Sequence, residues 1–158
     1  ELSATRAYLT AEQLYDMVIQ DVRYQYEHEV KEVNGAFAFV EKCRRSGKRM
    51  CVVTANDVPL TQAVLKRLGM LDAMEFILSS EESGLTKRTP QMAQEAIRRL
   101  GLAPNECIML EDSLYSMKSA KEAGCYVIAI ADRHSPDYAE ICRVADEVHE
   151  DLTDVNVR

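Results

Sequence analysis

Three short stretches carry residue types that do chemistry when brought together. Thr54, Ala55 and Asn56 set a hydroxyl beside a carboxamide, Lys87 adds a cation, and Glu111 with Asp112 forms an acidic pair followed by Ser113. Such a set suits phosphoryl chemistry: lysine and hydroxyl neutralise and bond phosphoryl oxygens, and carboxylates hold Mg2+. Each stretch also has a plain structural reading. Thr54–Asn56 reads as a turn that caps the next helix. Lys87 beside Arg88 reads as a solvated charge, and Glu111–Ser113 as a helix N-terminus whose dipole favours acids. Joint placement favours chemistry, because each stretch falls at a strand end or a helix start.

The elements that position them are punctuated by glycine. Gly47, Gly69, Gly101 and Gly124 close segments of helical spacing at Ala36–Ser46, Pro59–Leu68, Pro90–Leu100 and Leu114–Ala123. Glycine just past a helix supplies the left-handed residue that ends it. Proline suits the first helical position, where its missing N–H would be unpaired anyway, and Thr89 is the expected N-cap before Pro90. The runs that follow are Met50–Thr54, Glu75–Leu78, Cys107–Leu110 and Cys125–Ile130. Mostly short, continuous and rich in Val and Ile, they read as strands of a parallel sheet covered on both faces. The repetition predicts an α/β fold with a doubly wound parallel sheet. Ligands of such sheets bind beyond the carboxyl ends of the strands, where the Thr54 and Glu111 stretches lie.

The first residues differ. Thr10 with Gln13 forms a capping box. Apolar positions at Leu14, Val18 and Val22, and at Tyr15, Ile19 and Tyr26, continue a helix to Glu29. Its aromatic and polar face is expected on the edge of the core, or as an amphipathic surface helix. Later, Ser135–Val144 reads as a helix and Glu147–His149 as a short edge strand.

Composition narrows the field. The 158 residues hold 19 basic and 26 acidic side chains, a formal charge of −7. That balance argues against nucleic acid as a partner, since duplex binding needs a basic face. The basic run Lys42, Arg44, Arg45, Lys48 and Arg49 sits at a helix C-terminus, where it complements the dipole. No apolar run approaches the ~20 residues that span a bilayer, so no membrane association is expected, and Glu1–Thr10 is unlike a secretory signal. The odd number of cysteines, five without C-x-x-C spacing and mostly in apolar stretches, reads as reduced, buried thiols in a cytoplasmic protein. His28, His134 and His149 lack metal-ligand spacing. G-x-S-x-G, Walker A and G-x-G-x-x-G motifs are absent.

The stretch from Gly35 to Asp132 resembles the haloacid dehalogenase superfamily, in its phosphoglycolate phosphatase and β-phosphoglucomutase-like branch. Val52-Val53-Thr54-Ala55-Asn56 is similar to the second family motif, which binds the transferring phosphoryl group through a hydroxyl and a backbone amide. Gly84-Leu85-Thr86-Lys87-Arg88-Thr89-Pro90 is similar to the third motif, whose lysine screens charge between nucleophile and phosphate. Leu110-Glu111-Asp112-Ser113, with Ser119-Ala120-Lys121-Glu122-Ala123-Gly124, resembles the fourth, with acidic Mg2+ ligands. The resemblance implies a three-layer αβα core over 34–158 and a partial helical cap over 1–33. It implies Lys87 and Thr54 as catalytic, Thr54, Ala55, Asn56 and Lys87 as substrate-binding, and Glu111 and Asp112 as Mg2+ ligands.

The departures carry equal weight. The first family motif, Asp-x-Asp on the central strand, supplies the nucleophile and the general acid–base, and no Asp-x-Asp occurs in these residues. No strand candidate precedes Met50 either, so the sheet is expected to fall into two halves with open edges. Arg88 and Gln91 stand in place of the usual Pro and acidic residue, and Ser116 where Gly is usual. The expectation is therefore a Mg-dependent phosphatase or phosphomutase acting on a small phosphorylated metabolite through an aspartyl-phosphate. Its nucleophile would lie in a missing N-terminal segment, and the chain alone would be inactive. The alternative is a catalytically inactive fragment or binding module whose open sheet edge pairs with a second chain, as in a homo-oligomer. A response-regulator receiver is disfavoured, because there the acidic pair precedes the Thr and Lys.

Overall fold

The computed structural model describes residues 9–156. Thr10 opens α1 (Ala11–Tyr24) through the expected capping box: its hydroxyl accepts from Gln13 N at 3.1 Å, and its own N–H donates to Gln13 Oε1 at 2.9 Å. The expected single helix to Glu29 is corrected. Gln25–Glu29 widen into a π-helical turn, closed by Val30 N donating to Gln25 O at 2.8 Å. Arg67 explains the change, since its guanidinium donates to the carbonyls of Tyr26 and Val30 and draws that turn onto α3 (Val58–Arg67). The rest of α1 buries nothing: Leu14, Tyr15, Met17, Val18, Ile19, Val22 and Tyr24 are exposed.

Gly35 then starts α2 (Ala36–Arg45) in the left-handed region at φ 81°. A Cβ there would lie 2.8 Å from the Thr153 backbone, so only glycine lets the C-terminal segment approach. Leu152 N donates to Asn34 O at 2.9 Å across this contact.

The strands are β1 (Val52–Thr54), β2 (Ile77–Ser79), β3 (Ile108–Glu111), β4 (Tyr126–Ile130) and β5 (Glu147–His149). All pairings are parallel, as expected for an α/β fold, but they fall into two sheets, β1-β2 and β3-β4-β5. The first four strands start later than the apolar runs, and β2 and β3 each reach one residue further: Glu111 pairs with Ala129 and Ser79 with Thr54, so both end a strand. Glu111 thus lies inside β3, not in the loop after it. Among the described residues, β1 and β3 each keep an edge without a strand partner.

Of the remaining helices, α4 (Ser80–Ser83) is one turn, α5 (Pro90–Leu100) has the expected bounds, α6 is Leu114–Glu122 and α7 is Tyr138–Val144. Thr89 occupies the N-cap position of α5 without capping it, because its hydroxyl donates to Thr86 O at 3.4 Å. α7 begins later than Ser135, since Ser135 and Asp137 are held in turns by Asp132 O and by the Ser135 hydroxyl.

Two hydrophobic clusters build the core. The larger gathers Met117, Ala120, Val127 and Ala129 around β4 and α6, and the smaller joins Leu78, Met92 and Ala96 under β1-β2. α5 serves both, giving Ala93 and Ile97 to the larger and Met92 and Ala96 to the smaller. Burying one such large apolar side chain is worth about 1.5–3 kcal/mol, so this helix ties together sheets that share no hydrogen bond. All five cysteines are free thiols; Cys43, Cys107 and Cys125 are buried as expected, but Cys51 is half-buried and Cys142 is exposed. Among the described residues no helix is long and apolar enough to cross a membrane.

Candidate functional site

β3 ends at Glu111, whose carboxylate has drawn a full set of donors. Oε1 accepts from the N–H groups of Asp112 and Ser113, both at 3.2 Å. Oε2 accepts from the Ser116 hydroxyl at 2.7 Å and pairs with Lys87 Nζ at 2.6 Å. The Glu111 side chain is 3% exposed and that of Lys87 17%, so the pair is largely withdrawn from water. A carboxylate offers about four lone-pair positions, and each is taken.

Lys87 is delivered by the loop between α4 and α5. Ser79 caps α4 by accepting from Glu82 N at 3.1 Å, and Thr86 accepts from Arg88 N at 3.2 Å, which folds the loop back before Pro90. Arg88 turns away from Lys87. Its guanidinium lies 4.5 Å above the Tyr115 ring, a cation–π contact on the surface of α6.

Asp112 is exposed. Its Oδ1 accepts from the Ser113 hydroxyl at 3.0 Å, and among the described residues its second oxygen accepts nothing. Glu111 and Asp112 together do not fit a magnesium ion as a pair of direct ligands, because Glu111 has no lone pair to give. Among the described residues no three His, Cys, Asp or Glu side chains are grouped to hold a metal.

At the end of β1, Thr54 is half-buried and its hydroxyl oxygen accepts from Asn56 N at 3.0 Å, so the O–H stays available as a donor. Asn56 Nδ2 donates to the Tyr26 phenol at 2.7 Å and keeps a second hydrogen. Asp57 then caps α3 by accepting from Leu60 N at 2.7 Å. Thr54–Asn56 therefore form the expected turn, but the helix cap is Asp57.

A cleft of about 570 Å3 lies between the sheets. Val52 and Val53 of β1 line one wall, Met109 and Leu110 of β3 the other, with Lys87, Glu111 and Asp112 at the carboxyl end. Lys87, Glu111 and Asp112 thus share a cleft with Val52 and Val53 of β1, whereas Thr54, Ala55 and Asn56 do not line it. Among the described residues, no hydrogen bond joins Thr54 or Asn56 to Lys87 or Glu111. Sequence reasoning missed Tyr26, which sat in an apolar helical pattern, and took Ser116 only as a packing departure. A hydroxyl five residues after a strand-end Glu was the available signal for the latter.

The family model of the haloacid dehalogenase-like hydrolases matches residues 3–124. Hexitol phosphatase A of Escherichia coli (strain K12) is 33% identical over 96 residues, covering 61% of this chain and 44% of that protein. Validoxylamine A 7'-phosphate phosphatase of Streptomyces hygroscopicus subsp. limoneus is 25% identical over 123 residues, covering 78% and 56%. The chain spans about half the length of the curated relatives it matches. In fold it is similar to a putative beta-phosphoglucomutase from Thermotoga maritima, with a TM-score of 0.80, 17% identity, and 90% of this chain and 66% of that one covered.

Proposed function

The chain belongs to the haloacid dehalogenase-like hydrolases, and from that footing we propose that it forms the phosphoryl-handling part of a phosphatase or phosphomutase for a small phosphorylated metabolite. Thr54 donates its hydroxyl to a phosphoryl oxygen, Asn56 adds the second hydrogen of its amide, and Ala55 lets the backbone come close. Lys87 supplies the positive charge that offsets the growing negative charge on the phosphoryl group. Glu111 holds Lys87 in place. Asp112 is the carboxylate of this chain open to Mg2+, which would neutralise phosphoryl charge when bound.

The family reaction needs a carboxylate nucleophile, and no Asp-x-Asp stands in these residues. The proposal is that an aspartate outside them takes the phosphoryl group and that water then releases it. The open β1 and β3 edges mark where its strand pairs, with residues 34–158 as the core and 1–33 as part of a helical cap. The setting proposed is cytoplasmic.

The observation that supports this reading is the withdrawn Lys87–Glu111 pair, at 2.6 Å, in a cleft that Val52 and Val53 of β1 also line. Titration of the chain with inorganic phosphate, followed by amide and side-chain NMR, is expected to shift Thr54, Asn56 and Lys87 together. Shifts scattered over unrelated surfaces would refute the site. With p-nitrophenyl phosphate and Mg2+ the chain alone is expected to show no turnover, and measurable metal-dependent hydrolysis would refute the need for an outside nucleophile. A second reading, a catalytically silent binding module, draws on the open strand edges. It stands if the chain preceded by an Asp-x-Asp strand is also inactive.

A further inference from the structure

Tyr26 is the one residue of the π-helical turn Gln25–Glu29 that is half-buried. Its position is fixed from both sides. Arg67 Nη2 donates to its carbonyl at 3.3 Å and also to that of Val30, while Asn56 Nδ2 donates to its phenol oxygen at 2.7 Å. An amphipathic surface helix needs neither contact, and α1, which leads into the turn, buries nothing.

The direction of the Asn56 bond matters. A tyrosine hydroxyl donates one proton and accepts at its oxygen. Because the oxygen receives the Asn56 amide, the phenol proton points elsewhere, and among the described residues it meets no acceptor. Thr54 behaves likewise, accepting from Asn56 N and keeping its own proton. Thr54, Asn56 and Tyr26 therefore satisfy each other's acceptors or amide hydrogens and leave three donors for one ligand. Thr54 stands at the strand end beside the Lys87 cleft, whereas Tyr26 is reached only through the distal amide of Asn56, one side chain further out.

We infer that Tyr26 is a specificity-determining residue that donates its phenol proton to an oxygen on the organic side of a bound phosphomonoester, such as a hydroxyl of a polyol phosphate. This rests on the phosphoryl-site reading above and adds to it a preference for oxygen-rich substrates. A segment lying 30 residues before Asn56 in the chain would then read the part of the substrate that Thr54 and Lys87 do not touch.

The test is to titrate the chain and its Tyr26→Phe variant with inorganic phosphate and with glycerol 3-phosphate, and to record the Asn56 side-chain amide signals by NMR. One hydrogen bond to a ligand is worth roughly a fivefold change in affinity. The expected result is a loss of glycerol 3-phosphate binding by the variant about fivefold greater than any loss of inorganic phosphate binding, and a shifted Asn56 amide without ligand. A purely structural role would weaken both ligands alike. Equal loss for both ligands, or no loss for either, overturns the assignment of Tyr26. Failure of the unaltered chain to bind phosphate at all overturns instead the phosphoryl-site reading, and the inference with it.

Discussion

Ser116 donates its hydroxyl to Glu111 Oε2 across 2.7 Å, with both residues buried, and the same oxygen pairs with Lys87 at 2.6 Å. One carboxylate oxygen thus links α6 to the loop before α5. Glu111 is thereby an anchor for a lysine, and the acidic pair at the end of β3 divides its labour between an inward and an outward member.

Replacing Ser116 with Ala removes a donor from a buried carboxylate. An unsatisfied buried group costs about 1–3 kcal/mol, and urea unfolding of Ser116→Ala is expected to show a loss of that size. A midpoint equal to that of the unaltered chain would show that the hydroxyl does not hold the carboxylate.

Lys87→Met is expected to cost more. Removing one partner of a buried ion pair leaves an uncompensated charge, typically a loss of about 3–5 kcal/mol. Lys87→Arg keeps the charge and should recover part of it. Equal stability of all three forms, again by urea unfolding, would place the pair in solvent.

The unpaired edge of β1 makes a distinct prediction for hydrogen exchange. Val52 N donates to Phe76 O at 3.1 Å. Successive amides of a strand point to opposite sides, so that of Val53 faces the cleft. Exchange is expected to be slow at Val52 and fast at Val53. Protection of Val53 in the chain alone would mean that the cleft is already closed by a paired strand.

Thiol ionisation sets an alkaline limit. Burial raises the Cys51 and Cys125 thiols from 9.0 to about 11, with the neighbouring Cys107 adding to it. A folded-state pKa above the unfolded one means that the native chain holds the proton more tightly. The resulting stability is complete below about pH 9 and is lost as pH rises towards 11. Thermal unfolding from pH 8 to 11 should show that decline, and Cys51→Ala with Cys125→Ala should flatten it. A decline of the same steepness in the double variant would assign it to other groups.

Much of the fold was legible because its signals are local. α5 has the bounds that Pro90 and Gly101 announce, and the capping box of Thr10 and Gln13 forms as written. The strand-end positions of Thr54 and Glu111 followed from short apolar runs. What was hidden depends on contacts distant in sequence. The π-helical turn is drawn by Arg67, some 40 residues on, as the 3.3 Å bond to Tyr26 O shows. Tyr26 itself continues a helical apolar pattern, and nothing near it in the chain announces Asn56. The filling of Glu111's lone pairs needs two backbone N–H groups, Ser116 and Lys87 to converge, and a spacing pattern does not encode that convergence.

Met92 and Ala93 are neighbours on α5, yet they pack into different hydrophobic clusters. The helix is therefore the spacer bar of the molecule, and its girth fixes how wide the mouth between the two sheets stands. Lys87 hangs from the leading end of that bar, just ahead of Pro90. A substitution that thickens or thins this helix resets the opening and the reach of the lysine in a single stroke.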